Sequence, residues 1–296
     1  MVGHLSELVG LAVSMLEEVK MIGRHGKKVV VLAALAAGAA VWAGAARAGA
    51  PGLCYDPGTR DGYVCPPCGC SGDRLASAER GKCKLCQTDL VARKDLKHVA
   101  IVLFEGVELL DFSGPGEVFA ASGDFYIYTV SRDGKPLTSQ GFVRVDPEYS
   151  LYDCPWPDVL VVPGGSTGNL VADRTMMEWI QVVGKQADQV LSVGSGAFVL
   201  AKAGLLDGLE ATTHAADLDE LRREAPRTKV RAGVRFVDNG KVVTTAGVSA
   251  GIDGALHVVG KLCGADKAKT AAARLQYEPG AVPAGTVVTQ LPGKTQ

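Results

Sequence analysis

Residues 189–203 read QVLSVGSGAFVLAKA, and this stretch decides the fold. Gln189 to Val193 has the length and apolar character of a buried strand, Gly194-Ser195-Gly196 is a turn, and Ala197 to Ala203 is a helix-forming run. A strand passing through glycines directly into a helix is half of a βα unit, and such units build parallel sheets covered on both faces. The theme recurs outward from there. His98 to Phe104 is a continuous apolar run, as expected of a strand buried on both faces, and Phe125 to Val130 and Asp158 to Pro163 read as two more strands. The last of these ends in Gly164-Gly165. Gly114-Pro115-x-Glu117 is expected to open a helix with Pro at its first position. Further helices are expected over Thr175–Lys185, Ser249–Leu262 and Ala265–Leu275. Val234–Val237 and Lys241–Thr244 flank Asp238-Asn239-Gly240, a hairpin signal. The expected class is α/β, a three-layer sandwich with a mostly parallel sheet. Sites in such sheets form at the carboxyl ends of strands, so Asp111, Gly164-Gly165 and Gly194-Ser195 are expected to lie close together.

The chain around this domain is of another kind. Over 296 residues, 31 basic against 32 acidic side chains leave a formal charge of −1. That balance argues against a nucleic-acid binder, which needs a basic face to neutralise phosphates. With 47% hydrophobic residues, long disorder is also disfavoured. The eight Cys are unevenly spread: Cys54, Cys65, Cys68, Cys70, Cys83 and Cys86 share one short stretch, and Cys154 and Cys263 lie elsewhere. No G-x-x-x-x-G-K-[ST] phosphate loop occurs, so neither a nucleotide nor an organic cofactor is expected.

Residues 63–91 read YVCPPCGCSGDRLASAERGKCKLCQTDLV. The two C-x-x-C pairs, Cys65/Cys68 and Cys83/Cys86, form a four-thiolate set suited to a tetrahedral ion. Soft thiolates favour zinc in a structural role, or copper(I) if the site handles metal. So short a segment lacks a core of its own and needs a metal or disulfides to fold. Cys70 is either a replacement ligand or a partner for Cys54, and a disulfide knot is the alternative to a metal site. The segment resembles small zinc-ribbon or heavy-metal-binding modules, through Tyr63, Cys65 and Pro66 at its start and Gly81, Lys82, Cys83, Cys86, Asp89, Leu90 and Val91 at its end.

Upstream, Val29 to Ala46 is uncharged and follows Arg24, His25, Lys27 and Lys28, and Ala46-Arg47-Ala48 supplies an A-x-A site, the pattern of a secretory signal. Residues 1–20 make that leader long and acidic, which a start at Met21 would explain. A retained membrane anchor and a buried Ala-rich helix are the alternatives. The expected organisation is a leader or anchor over 1–48, a linker over 49–62, a Cys-rich metal-binding module over 63–92, the α/β domain over 97–277 and a tail over 278–296. The expected location is periplasmic or extracellular.

Within 97–277, five segments carry a specific resemblance: FEGVELLDFSGPGEVF (Phe104 to Phe119), VVPGG (Val161 to Gly165), GAFVLAKAGLLDG (Gly196 to Gly208), ATTH (Ala211 to His214) and TTAGVSAGIDGAL (Thr244 to Leu256). In this order they resemble the DJ-1/PfpI family, in its isonitrile-hydratase-like and transcription-regulator-associated branch. The resemblance implies a flavodoxin-like fold related to class I glutamine amidotransferases, and a homodimer. It implies a nucleophilic Cys in a V-C-[TSN]-G-A-F turn, and here that position is Gly194. It also implies a carboxylate at Asp111, an oxyanion or ligand-binding site formed at Gly164, Gly165 and Gly194 with the loop amides facing it, and a histidine at His214. Ser195 is the local hydroxyl that would substitute for the thiol, although a serine needs an adjacent base. Structural roles are the alternatives: helix caps for Asp111 and Ser195, and a satisfied structural His214.

The expected function is therefore a small-molecule-binding or sensing pseudoenzyme with an attached metal module. The first alternative is a hydratase- or hydrolase-like enzyme using Asp111 without a thiol, and the second is metal handling. Relatives that regulate transcription append a helix-turn-helix module, and here only Pro279 to Gln296 follows the domain, so no nucleic-acid partner is expected. N-terminal sequencing of the mature protein is expected to begin near Gly49, and an intact Met1 would refute the cleaved leader.

Overall fold

Four apolar stretches, each too short for a helix and each bounded by turn residues, form the centre of the sheet. The computed structural model describes residues 62–66, 77–278 and 286–287, so the leader, Cys54, Cys68, Cys70 and most of the tail lie outside the described residues. A short antiparallel ribbon joins β1 (Tyr63–Val64) to β2 (Val91–Ala92). The main sheet then begins with β3 (Lys97–Val102), followed by helix α1 (Leu109–Ser122) and β4 (Phe125–Ser131). A small hairpin, β5 (Leu137–Ser139) and β6 (Val143–Val145), precedes β7 (Tyr149–Ser150) and β8 (Val159–Val162). Helices α2 (Thr167–Ala172) and α3 (Arg174–Gln186) lead to β9 (Gln189–Val193) and α4 (Gly196–Lys202). After β10 (Glu210–Ala211), α5 (Leu218–Glu224) and β11 (Lys229–Val230) come the hairpin β12 (Phe236–Asp238) and β13 (Val242–Thr245), helices α6 (Ala250–Cys263) and α7 (Ala265–Arg274), and the edge strand β14 (Thr286–Val287).

The eight-stranded sheet has the order β14-β12-β13-β9-β8-β3-β4-β7. Every neighbouring pair is parallel except β12 and β13, whose register sets Val237 opposite Thr244. The expected α/β class and mostly parallel sheet are therefore observed. β3 pairs with β4 on one side and β8 on the other, so the chain reverses its direction across the sheet between β3 and β8. In sheets of this kind, sites form at the carboxyl ends of the strands beside such a switch point. Val159 to Val162 are wholly buried, as are Val190, Leu191 and Val193 of β9, because helices cover both faces. Phe119 of α1 meets Phe125 of β4 edge-on at 4.9 Å between ring centroids. α3 starts where the Asp173 carboxylate accepts from the amides of Thr175 and Met176, and it buries Met176, Trp179, Ile180 and Val183 against the sheet.

One boundary differs from expectation. Pro115 does not open α1 but lies inside it, because the helix begins six residues earlier at Leu109. Propensity favoured the later start, but tertiary contacts override it. The Glu108 amide donates to Gly164 O at 2.9 Å, and Asp111 in the first turn is gripped by two loop amides described below. Gly114 and Gly116 on either side of Pro115 let the helix pack closely, since a Cβ at either would come within 3.2 Å of an isoleucine side chain, Ile252 or Ile101.

The described residues of the Cys-rich segment and of the α/β domain fall within one compact unit. Val64 is buried in the same apolar core as the main sheet, and the Arg93 guanidinium sits 4.2 Å above the Tyr126 ring of β4.

α4 follows β9 with almost no connecting loop, which presses the start of the helix onto β8. A Cβ at Gly196 would collide with the Val162 carbonyl oxygen and come within 3.0 Å of Pro163 O. Gly196→Ala is expected to destabilise the fold by roughly 1–3 kcal/mol through overpacking, read as a lower urea midpoint. An unchanged midpoint would show that this junction is loosely packed.

Candidate functional site

Four loops at the carboxyl ends of β3, β8, β9 and β13 converge on the Asp111 carboxyl. Asp111 sits in the first turn of α1 and is 3% exposed. Its Oδ2 accepts from the Gly164 amide at 3.0 Å, and its Oδ1 accepts from the Val248 amide at 2.9 Å. The carboxyl therefore caps neither its own helix nor another, and instead ties α1 to the β8 loop and to the turn after β13. Burial, opposed by these two amides, raises its pKa from 3.8 to about 6; the nearby Glu108 carboxylate adds to the rise and His214 opposes it. Such a group exchanges protons near neutrality.

Gly194 lies beside it with φ +52, the left-handed conformation of a sharp strand-to-helix turn. A Cβ built there would stand 3.2 Å from Asp111 Oδ2, so position 194 aims any side chain at the carboxyl. The Thr213 hydroxyl donates to Gly194 O at 2.8 Å and fixes the turn. Cys154 is buried after β7 and Cys263 ends α6, so neither thiol stands at this turn.

The remaining expected residues are brought to the same corner, with roles set by their contacts. Ser195 Oγ accepts from the Gly165 amide at 3.0 Å and donates to Gly165 O at 3.2 Å, so its hydrogen bonds run to the β8 loop, and it makes no cap on α4. The amides of Gly164 and Gly165 thus serve Asp111 and Ser195. The His214 ring is about half exposed, and its Nδ1 accepts from the Ala216 amide at 3.4 Å, 3.9 Å from an Asp217 oxygen. It lies against Gly247, where a Cβ would come within 3.4 Å of the ring carbon Cδ2.

Sequence reasoning named no role for Val248, Thr213 or Glu108. All three lie in segments already singled out, at the carboxyl ends of strands, and that position was the available signal. What the sequence does not display is that Val248 acts through its amide.

A second cluster lies in the Cys-rich segment. The sulfurs of Cys65, Cys83 and Cys86 all lie within 4.8 Å of one another, with Cys65 and Cys83 buried. Cys65 Sγ and Cys86 Sγ are 3.4 Å apart, and Cys86 Sγ is 3.3 Å from the Thr88 hydroxyl. Three converging sulfurs, mostly shielded from water, fit a soft cation. Cys68 and Cys70 lie outside the described residues.

A family model described as the DJ-1/PfpI family matches residues 97–261. An isonitrile hydratase of Pseudomonas putida is 37% identical over 183 residues, covering 62% of this chain and 79% of that protein. The HTH-type transcriptional regulator GbdR of Pseudomonas aeruginosa is 25% identical over 151 residues, 51% of this chain and 41% of the regulator. Among solved structures, a ThiJ/PfpI family protein from Pseudomonas syringae superposes with TM-score 0.58 at 30% identity, covering 62% of this chain and 76% of that one. Drosophila melanogaster DJ-1beta gives TM-score 0.55 at 20% identity over 62% of this chain and 99% of that one, and shows the fold alone.

The raised pKa of Asp111 has a thermodynamic consequence. The folded state holds this proton more tightly than the unfolded chain. Its contribution is therefore full below the unfolded value near 4 and is lost as pH rises through about 6. Urea unfolding of wild type and Asp111→Asn at several pH values is expected to show the difference between them falling by up to about 3 kcal/mol from pH 4 to pH 7. A difference independent of pH would mean that this carboxyl titrates normally.

Proposed function

Because the chain belongs to the DJ-1/PfpI family, we propose that it is a small-molecule-binding or sensing member that keeps the family's acid and lacks its nucleophile. The single observation carrying this reading is the direction of position 194, which aims at Asp111 Oδ2 from 3.2 Å but has no side chain to place there. Gly194 leaves that side of the carboxyl without a side chain, and in this reading a ligand presents a polar atom to Asp111 there. Ser195 does not replace the thiol. Its hydroxyl proton is directed to a carbonyl, and a serine nucleophile needs a base instead.

A second reading, hydratase or hydrolase chemistry in which Asp111 activates water, is favoured by the carboxyl's titration near 6, a suitable value for a general base. Similarity to an isonitrile hydratase supplies the probe. Wild type is expected to show no turnover of an aliphatic isonitrile or an α-oxoaldehyde above background. Gly194→Cys is expected to gain turnover, because its thiol would stand before Asp111. Wild-type turnover abolished by Asp111→Asn would replace the first reading with the second. Failure of Gly194→Cys to gain any would mean the site no longer supports the family's chemistry.

The Cys-rich segment, in this reading, holds a structural zinc through Cys65, Cys83 and Cys86, with Cys68 as fourth ligand and Cys70 as the alternative. The convergence of the three sulfurs supports it. The chain acts outside the cytoplasm as a homodimer, which the leader pattern and the family's habit support. Metal analysis is expected to find about one zinc per chain, with the cluster's thiols resisting alkylation until a chelator is added. Metal-free protein with these thiols oxidised would establish disulfides instead.

A further inference from the structure

Val248 is a β-branched residue with φ +48, a conformation that non-glycine residues rarely adopt and that persists only where surrounding contacts impose it. The residue is 39% exposed, so close packing of its side chain is not what imposes it. Backbone bonds within the turn, from Ala250 N to Gly247 O and from Gly251 N to Val248 O, help to hold it, and Arg235 adds a contact on each side, through its carbonyl before Val248 and its guanidinium after it. Before it, the Ala246 amide donates to Arg235 O at 2.8 Å. After it, Arg235 Nη2 reaches Ser249 Oγ at 3.4 Å, and the guanidinium pairs with Asp253 in the first turn of α6. Tyr277 closes the network, its hydroxyl donating to Asp253 Oδ1 at 3.0 Å and lying 3.4 Å from Arg235 Nη2. Arg235 and Asp253 are both largely buried, with side chains 16% and 10% exposed, where such a pair holds its geometry.

We infer that Arg235 is a positioning residue for the site: by gripping the chain before and after Val248 it holds that residue in its strained conformation, and so keeps the Val248 amide on Asp111 Oδ1. This deepens the reading of Asp111 as the site's acid and rests on it, but its test needs no ligand. Among the described residues, the charged or titratable groups acting on Asp111 are Glu108 at the start of its own helix and His214 from the segment after β10. The β8, β9 and β13 loops present it with backbone. The Arg235 guanidinium is paired with Asp253, and its structural link to Asp111 runs through the Val248 turn.

The test reads the Asp111 titration by carboxyl 13C NMR and the exchange of the Val248 amide hydrogen, in the full chain. Arg235→Met is expected to move the Asp111 midpoint upward by about half a pH unit or more, since an amide that favours the ionised form is lost. It is also expected to speed Val248 exchange at least about tenfold. Arg235→Lys should retain part of both. Val248→Gly in the Arg235→Met background should restore both, because glycine takes φ +48 without strain and needs no clamp. A variant that merely lowers the melting temperature, with titration and exchange unchanged, would overturn the proposal. So would failure of Val248→Gly to rescue. If Arg235→Met does not fold, Ser249→Ala removes one grip. It should then speed Val248 exchange by a smaller factor, and no change there also overturns the inference.

Discussion

One buried carboxyl holds the working end of the domain together. Asp111 accepts hydrogen bonds from two loops far apart in sequence, one after β8 and one after β13, while its own backbone starts α1. Without it, two backbone amides at the strand ends would be left to water, and buried donors without partners are costly. The same bonds that organise the fold tune the chemistry: burial favours the protonated carboxyl and the amides favour the ionised one, so the balance falls near neutrality. Structure and reactivity here draw on the same two hydrogen bonds.

Most of the framework was legible because burial on both faces leaves a plain mark in sequence. β9 runs from Gln189 to Val193 as read, and the Asp238-Asn239-Gly240 turn produced the antiparallel β12–β13 hairpin. The start of α1 was not legible, because Pro115 outweighs Leu109 by propensity while the contacts that win lie fifty and more residues away. β7, β10 and β11 were missed for a related reason: strands of two residues carry no periodicity. The site followed the same division. Asp111, Gly194 and Ser195 could be placed together from strand ends and family pattern. The use of the Gly165 amide by Ser195, and of the Val248 amide by Asp111, depends on backbone direction, which side-chain identity does not encode.

In the Cys-rich segment, burial and a thiol cluster meet. Val64 contributes to the common core, and the next residue, Cys65, contributes a sulfur to the three-thiol cluster. A cation bound there would draw together the strand at Val64 and the loop at Cys83–Cys86, so metal affinity and packing against the sheet share one free energy. Arg93 over Tyr126 adds a contact that persists without any metal, anchoring the ribbon from its other end.

The hydrogen bond from the Gly165 amide to Ser195 Oγ has one more consequence. The hydroxyl is an internal ligand, covalently tethered and already seated on the donor that an incoming acceptor would use. Any guest reaching for that amide competes with a tethered rival, and a neutral acceptor of similar strength gains nothing by displacing it. A negatively charged oxygen does gain, because charge-assisted bonds are roughly twice as strong. A guest that used the Gly165 amide would therefore have to carry charge or leave the serine in place.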